Sequence, residues 1–206
     1  MFIDPRSVAS HPANVPVAWG SYCRAYPKTP VVLVILLLLA LVFRHNHPLA
    51  VALVRIAGIG AFVYLTYIQS RFERGNLCPG RVISEQPLLV AVLTDLANDD
   101  ESTYPVVKVF SPPRPGVALP PGTRVATVSL YTGRTPAGHW GDCQPELALS
   151  ANPSSALQQE LLSEFTDEEW RELTEACETL PKPFKCGLCP LRTGAWPDPE
   201  RSALKV

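Results

Sequence analysis

Charge of one sign is what this sequence lacks first. Its 18 Lys and Arg against 19 Asp and Glu leave a formal net charge of −1, which excludes a nucleic-acid binder with a strongly positive body. A phosphate-binding glycine loop is also missing, because neither Gly133 nor Gly138 leads into a Gly-Lys-Ser or Gly-Lys-Thr run. No internal repeat is visible, and 206 residues leave room for about one domain and an appendage, so a multidomain enzyme is excluded. Between Val31 and Phe43 there is no polar side-chain atom at all.

The near-zero net charge conceals a division. Residues 1–74 hold seven Lys or Arg against Asp4 and Glu73, a balance of +5, which leaves −6 to residues 75–206. A basic front and an acidic back are two objects in one chain. The front contains the apolar run 31–43 and, after Arg44, His45, Asn46 and His47, a second run from Pro48 to Gln69 in which Arg55 is the only charge. As helices they would measure about 20 Å and about 33 Å, against a hydrocarbon core of roughly 30 Å. The first reaches further if Lys28 and Arg44 extend to the interfaces, with Pro30 in a first turn where its missing N–H is not needed. Spans at 30–44 and 48–69 therefore make a tight transmembrane helical hairpin. A cleaved signal peptide fits poorly, since about thirty residues precede the run and no small-residue site follows it. A soluble core hairpin would need polar positions at helical spacing, and 31–43 has none.

Arg55 has no acidic partner in either span, so snorkelling toward the His45 and His47 end is favoured over an intramembrane ion site. Gly58 and Gly60, with Ala52 and Ala61, offer a small-residue surface for close helix packing or self-association. If both runs span, Arg6, Arg24, Lys28, Arg71, Arg74 and Arg81 share one side, while the turn has Arg44 and at most Arg55. That bias places both termini and the polar body on the cytoplasmic side of a bacterial inner membrane.

From Cys78 onward the pattern shortens. Arg81–Leu93 and Pro105–Phe110 read as a strand pair, with Pro87 at a bulge or edge, and Thr123–Tyr131 reads as a third strand. Leu147–Leu149 supplies a fourth, and the proline-rich link 111–122 is irregular. Helical periodicity then begins near Ser155, with Leu157, Leu161 and Phe165 on one face and a capping box between Ser155 and Gln158. A second helix opens on Thr166 as N-cap with Glu169 three residues later, carries the stripe Trp170, Leu173, Cys177 and Leu180, and stops at Pro181. The expected organisation is a polar segment 1–29, an anchor 30–70, a soluble domain 75–192 and a tail 193–206. The fold class is α+β: a membrane hairpin, then a small antiparallel, barrel-like sheet with two C-terminal helices.

Six cysteines are an even number, but a cytoplasmic body argues against disulfides. Cys186 and Cys189 form a C-x-x-C knuckle, whose spacing lets two thiolates share a tetrahedral ion. A zinc site would need His139 and Cys143 as well, or Cys78. The loop with His139, Asp142 and Cys143 holds the inventory of thiol catalysis without its geometry, and a strand connection with Trp140 on the core edge is the simpler reading. Pro112 and Pro115 have P-x-x-P spacing, read as a stiff linker. Asp95, Asp99, Asp100 and Glu101 lack the pattern of a calcium loop and read as a solvated tip.

The segments VISEQPLLVAVLTDL at 82–96, YPVVKV at 104–109, RVATVSLY at 124–131 and HWGDC at 139–143 resemble a bacterial family of membrane-associated proteins known only as a domain of unknown function, over roughly residues 80–180. The resemblance implies an anchor and a body and supplies no catalytic residues. Gly80 and Val82 after a membrane hairpin are similar to the strand start of small barrels in some bacterial membrane proteins, an analogy of fold alone. The expectation is a membrane-anchored binding or scaffolding module rather than an enzyme. Its partners would be the lipid bilayer and a membrane protein or a second copy, not nucleic acid. The alternative is a zinc- or thiol-dependent function at Cys186, Cys189, Cys143 and His139, and a channel would need oligomers.

Overall fold

The computed structural model describes residues 9–97, 104–113, 117–136 and 138–191. Asp99, Asp100 and Glu101, the Arg114 and Pro115 end of the P-x-x-P motif, and the tail 193–206 lie outside the described residues. The chain is α+β, and the described residues form six helices and a six-stranded antiparallel sheet curled into a half-barrel.

Three helices come first: α1 (Trp19–Ala25), α2 (Lys28–Val42) and α3 (His47–Arg74). Asn46 caps α3 by accepting from the Leu49 N–H at 3.5 Å, and Pro48 sits in its first turn, where no N–H partner is needed. The short turn from Phe43 lays α2 against α3. Shielded positions recur at Leu33, Leu36 and Ala40 on one helix and at Ala50, Leu53, Ala57 and Tyr64 on the other. Gly60 contributes to this seam, since a Cβ there would stand 3.5 Å from Leu33 Cδ2, whereas Gly58 faces open space. Of these helices only α3 is both long and apolar enough to cross a membrane alone, and α1 and α2 meet at a bend of 97°.

The strands are β1 (Asn76–Glu85), β2 (Leu88–Asp95), β3 (Pro105–Phe110), β4 (Arg124–Arg134), β5 (Trp140–Leu147) and β6 (Gly187–Pro190), in the order β5-β4-β1-β2-β3-β6. The segment expected as one strand, Arg81–Leu93, is two: Gln86 and Pro87 form the turn of a β1–β2 hairpin, so proline sits where the ladder ends rather than in a bulge. Leu147–Leu149 is not a separate strand either. Leu147 closes β5, and the chain then winds into α4 (Ala148–Ala151). Alternation sorts the sheet's two faces. Leu77, Ala91, Leu93, Val107 and Val128 face the helices, while Cys78, Val82, Val90, Val92 and Val125 line the inside of the curl. Lys108 Nζ on β3 stands 2.7 Å from Asp142 Oδ1 on β5, although three strands separate them in the sheet order. Trp140 N–H adds a bond to the Leu96 carbonyl at 2.8 Å, so the curl is nearly closed at that end.

Helices α5 (Ser155–Ser163) and α6 (Asp167–Thr179) complete the body. The capping box at Thr166 and Glu169 is formed in full, and Trp170, Leu173 and Leu180 are buried under the sheet. The box expected at Ser155 and Gln158 is not formed. Ser154 is the N-cap without a side-chain bond, because Gln158 Nε2 donates to the Asn152 carbonyl while Asn152 Oδ1 accepts from Ser154 N–H.

The chain ahead of α1 runs as a strap into the same core. Leu77 N–H donates to His11 O at 2.8 Å, Ala13 N–H to Gly75 O at 2.9 Å, Val15 N–H to Phe72 O at 3.0 Å and Ala18 N–H to Ala151 O at 2.8 Å. Ala13, Val15 and Tyr22 are buried with Ile68 and Phe72 in the principal core. Both ends of the segment 28–74 are thereby fastened to one body.

Candidate functional site

Where the strap crosses the start of β1, an open cleft of about 380 Å³ forms, within the usual range for ligand pockets. The strap brings Ser10 and His11, β1 brings Asn76 and Cys78, β2 brings Thr94 and Asp95, and α6 brings Glu169 and Glu172. Period-two alternation places Cys78 and Thr94 on the inner side of the sheet, next to one another, and Cys78 Sγ lies 3.4 Å from Thr94 Oγ1. Behind them Tyr131 OH is 2.7 Å from Thr94 Oγ1 and accepts from Asn76 Nδ2 at 2.8 Å. Burial pushes the Cys78 thiol and the Tyr131 phenol above their ordinary values, and the hydrogen bonds of Thr94 and Asn76 oppose that shift without cancelling it. At neutral pH both are protonated, so the network offers fixed donors and acceptors rather than an activated thiolate.

The rim is acidic. Asp95 Oδ1 accepts from Ala97 N–H at 2.8 Å and Tyr104 N–H at 2.7 Å, and Glu169 Oε2 accepts from Thr166 N–H at 2.7 Å. These bonds hold two of the three carboxylates in place. His11 Nε2 lies 3.5 Å from Glu164, an ion pair when the ring is protonated.

The residues expected around a metal lie apart. Cys189 pairs with Val107 and packs with the helix-side core, and Cys186 is exposed just before β6. Cys143 pairs with Tyr131 and is buried inside the curl with Trp140, its thiol pushed up to about 12 by burial. His139 is buried against Tyr104 with ring centroids 4.5 Å apart, and its Nδ1 is 2.8 Å from Trp140 O. The sheet itself separates Cys189 from Cys143, and among the described residues no three His, Cys, Asp or Glu side chains gather into a metal-binding group. Asp142 is engaged structurally, since its Oδ1 accepts from Cys143 N–H at 2.8 Å as well as from Lys108. A second cleft, of about 350 Å³, is walled by Val109 and the run Leu180–Cys189. That run is local in the chain, whereas the first cleft draws polar groups from four separate elements.

Of the first cleft's polar residues the sequence marks Asp95 as a loop tip, Cys78 as an alternative zinc ligand and Glu169 as a capping residue, and it gives no sign of a site at His11, Asn76, Thr94 or Tyr131. The alternation Val90, Val92, Thr94 was the available signal: a threonine on a face otherwise apolar.

Comparison with known proteins fits this architecture. A crystal structure of a candidate membrane protein from Corynebacterium diphtheriae matches with a TM-score of 0.50 at 21% identity, covering 56% of this chain and 99% of that one. At that identity the likeness is one of fold. None of the curated proteins matches. The family model described as a protein of unknown function, DUF3239, matches residues 65–180, a span that opens in the last three turns of α3 and runs through β1–β5 to the end of α6. With more than half of its length under that one model, and in agreement with the likeness carried by residues 82–143, the chain belongs to the DUF3239 family.

Proposed function

We propose that the chain is a membrane-anchored binding module, which inserts α2 and α3 into the bilayer as a hairpin and holds its body, with the cleft over Cys78 and Thr94, at the cytoplasmic face of a bacterial inner membrane. One observation carries the reading. The large hydrophobic side chains left exposed run from Val31 to Leu65 on α2 and α3 and reach 70% exposure at Val42 and 71% at Phe62, with Val117 the single one elsewhere among the described residues. A continuous apolar surface of that extent has no stable place in water. The strap supports the hairpin topology, because a segment fastened at both ends to one body must leave and re-enter on that body's side.

Lengths agree with insertion. From Lys28 to Arg44, and from Asn46 to Tyr64, the legs rise by about 24 Å and about 27 Å at 1.5 Å per residue. Basic ends and tyrosines at the near interface make up the remainder. The orientation rests on Arg24, Lys28, Arg74 and Arg81 near the body against Arg44 and Arg55. Arg71 leaves this count, because it is buried in an ion pair. Ala57 and Gly60 are used between α2 and α3, so self-association through the membrane would have to use the open face at Gly58. Confinement is the mechanism: an anchored cleft meets membrane-bound partners at a raised local concentration without new contacts.

The test is sidedness in intact cells. A membrane-impermeant maleimide should reach His45→Cys at the turn from outside and the exposed Cys186 only after the membrane is opened. Full-length protein that washes off vesicles in alkaline carbonate would end the proposal.

A further inference from the structure

The anchor meets the body with no linker, since α3 ends at Arg74 and β1 begins at Asn76. In the last turns of α3, Arg71 is 7% exposed and turns inward to β5. Its Nη1 stands 3.0 Å from Glu146 Oε1, and its Nη2 donates to the Gln144 backbone carbonyl at 2.9 Å. Tyr22 and Tyr26 stack with ring centroids 4.7 Å apart, near enough to the pair for the Glu146 charge to raise both phenols further, after burial. Arg71 Nε and Glu146 Oε2 are buried without a hydrogen-bond partner.

A pair desolvated to this degree contributes little net stability, because apolar residues of similar volume commonly hold such a site as well. What an arginine adds is direction: a planar fork with fixed donor geometry specifies one arrangement of the two elements it joins. A lipid-embedded helix is otherwise free to tilt with bilayer thickness. Resting on the membrane reading above, we propose that Arg71 is a positioning residue: through Glu146 and Gln144 it locks α3 at one angle to the sheet, so that the body is a rigid mount rather than a tethered domain and the cleft is presented to the membrane in a single orientation.

Full-length protein in lipid vesicles tests this with two spin labels, one at Ile59→Cys on α3 and one at Cys186, with Cys23, Cys177 and Cys189 replaced by serine. The starting protein should give one narrow distance distribution. Arg71→Met combined with Glu146→Leu, which leaves no orphaned charge, should at least double its width while thermal midpoint and carbonate resistance stay close to the starting values. An unchanged width overturns the lock and assigns the angle to the strap. Should the double variant fail to fold, Glu146→Gln is judged by the same width criterion. Release of the starting protein by carbonate would sink the membrane reading alone, because the distribution measured in detergent micelles still decides whether Arg71 fixes the angle.

Discussion

Gly75 is the tightest point of the junction and gives the sharpest prediction. It has ordinary extended backbone, φ −67 and ψ 155, so conformational freedom is not the reason for glycine here. Space is the reason. A Cβ at Gly75 would stand 2.4 Å from Val128 Cγ1 and 2.5 Å from the Arg71 backbone oxygen. The valine methyl could rotate away; the carbonyl could not, because it accepts the Gly75 N–H at 2.9 Å and ends α3. Gly75→Ala must therefore push α3 from β4 and strain the Ala13 N–H bond to the Gly75 carbonyl. Overpacking of this kind costs about 1–3 kcal/mol, and involvement of backbone on two sides places it at the upper end. For a body of this size that lowers the melting midpoint by on the order of 10 °C. The assay is thermal unfolding in detergent followed by near-ultraviolet circular dichroism, with limited proteolysis of the strap alongside. Gly58→Ala is the control, because nothing lies within 4 Å of its Cβ position. It should be neutral, or stabilising by up to about 1 kcal/mol from helix propensity. A Gly75→Ala midpoint within 1 °C or so of the parent would refute the steric reasoning.

Burial, against the opposing effect of Arg71, leaves the Glu146 carboxyl above its ordinary value. The folded state thus holds that proton more tightly than the unfolded chain, and stability falls as pH rises from the usual carboxylate value through the raised one; Glu146→Gln should remove that part of the slope in midpoint against pH. Thiol titration of native protein at neutral pH should modify Cys186 first and leave Cys78 and Cys143 untouched until unfolding, since both are buried and raised. Metal analysis of purified full-length protein should find well under one zinc per chain, and a full equivalent lost in Cys186→Ser would restore the zinc reading. A fragment beginning at residue 75 should bind a hydrophobic dye and melt without cooperativity. Val15, Tyr22 and Phe72 are each 0–2% exposed and contribute about 1.5–3 kcal/mol apiece by burial, together comparable to a whole domain's stability of roughly 5–15 kcal/mol.

Local signals were legible and long-range ones were not. Thr166 and Glu169 announce their helix because a capping box involves four consecutive residues, and Trp170 and Leu173 follow by period. Pro87 was misjudged because an apolar run on both sides of a proline reads equally as one interrupted strand or as two strands about a turn. Only the register, Val82 opposite Val90, separates the cases. The strap segment His11–Pro16 carries two prolines and no period, so nothing local reveals that Val15 is wholly buried. The cleft was hidden for the same reason, since Asn76, Thr94 and Tyr131 converge only once β1 lies between β2 and β4.

Arg71 shows most clearly how sequence and structure assign one residue different work. As a charge beside an apolar run it counts toward topology, and that count treats it as a solvated cation at the interface. Its position in α3 contradicts this, because three residues earlier Ile68 is buried, and Phe72 beside it is fully so. The foot of α3 is therefore core rather than flank. That in turn places the boundary of the body inside the helix, near Leu65, where the family match begins. A body that includes the last turns of α3 cannot swing freely on that helix: any rotation of α3 about its axis would drag Ile68 and Phe72 out of the apolar core and Arg71 away from Glu146 at once. The foot of α3 and the sheet are held together for the same reason that a helix packs at all, the burial of one face, and Arg71 adds a directed contact to that packing.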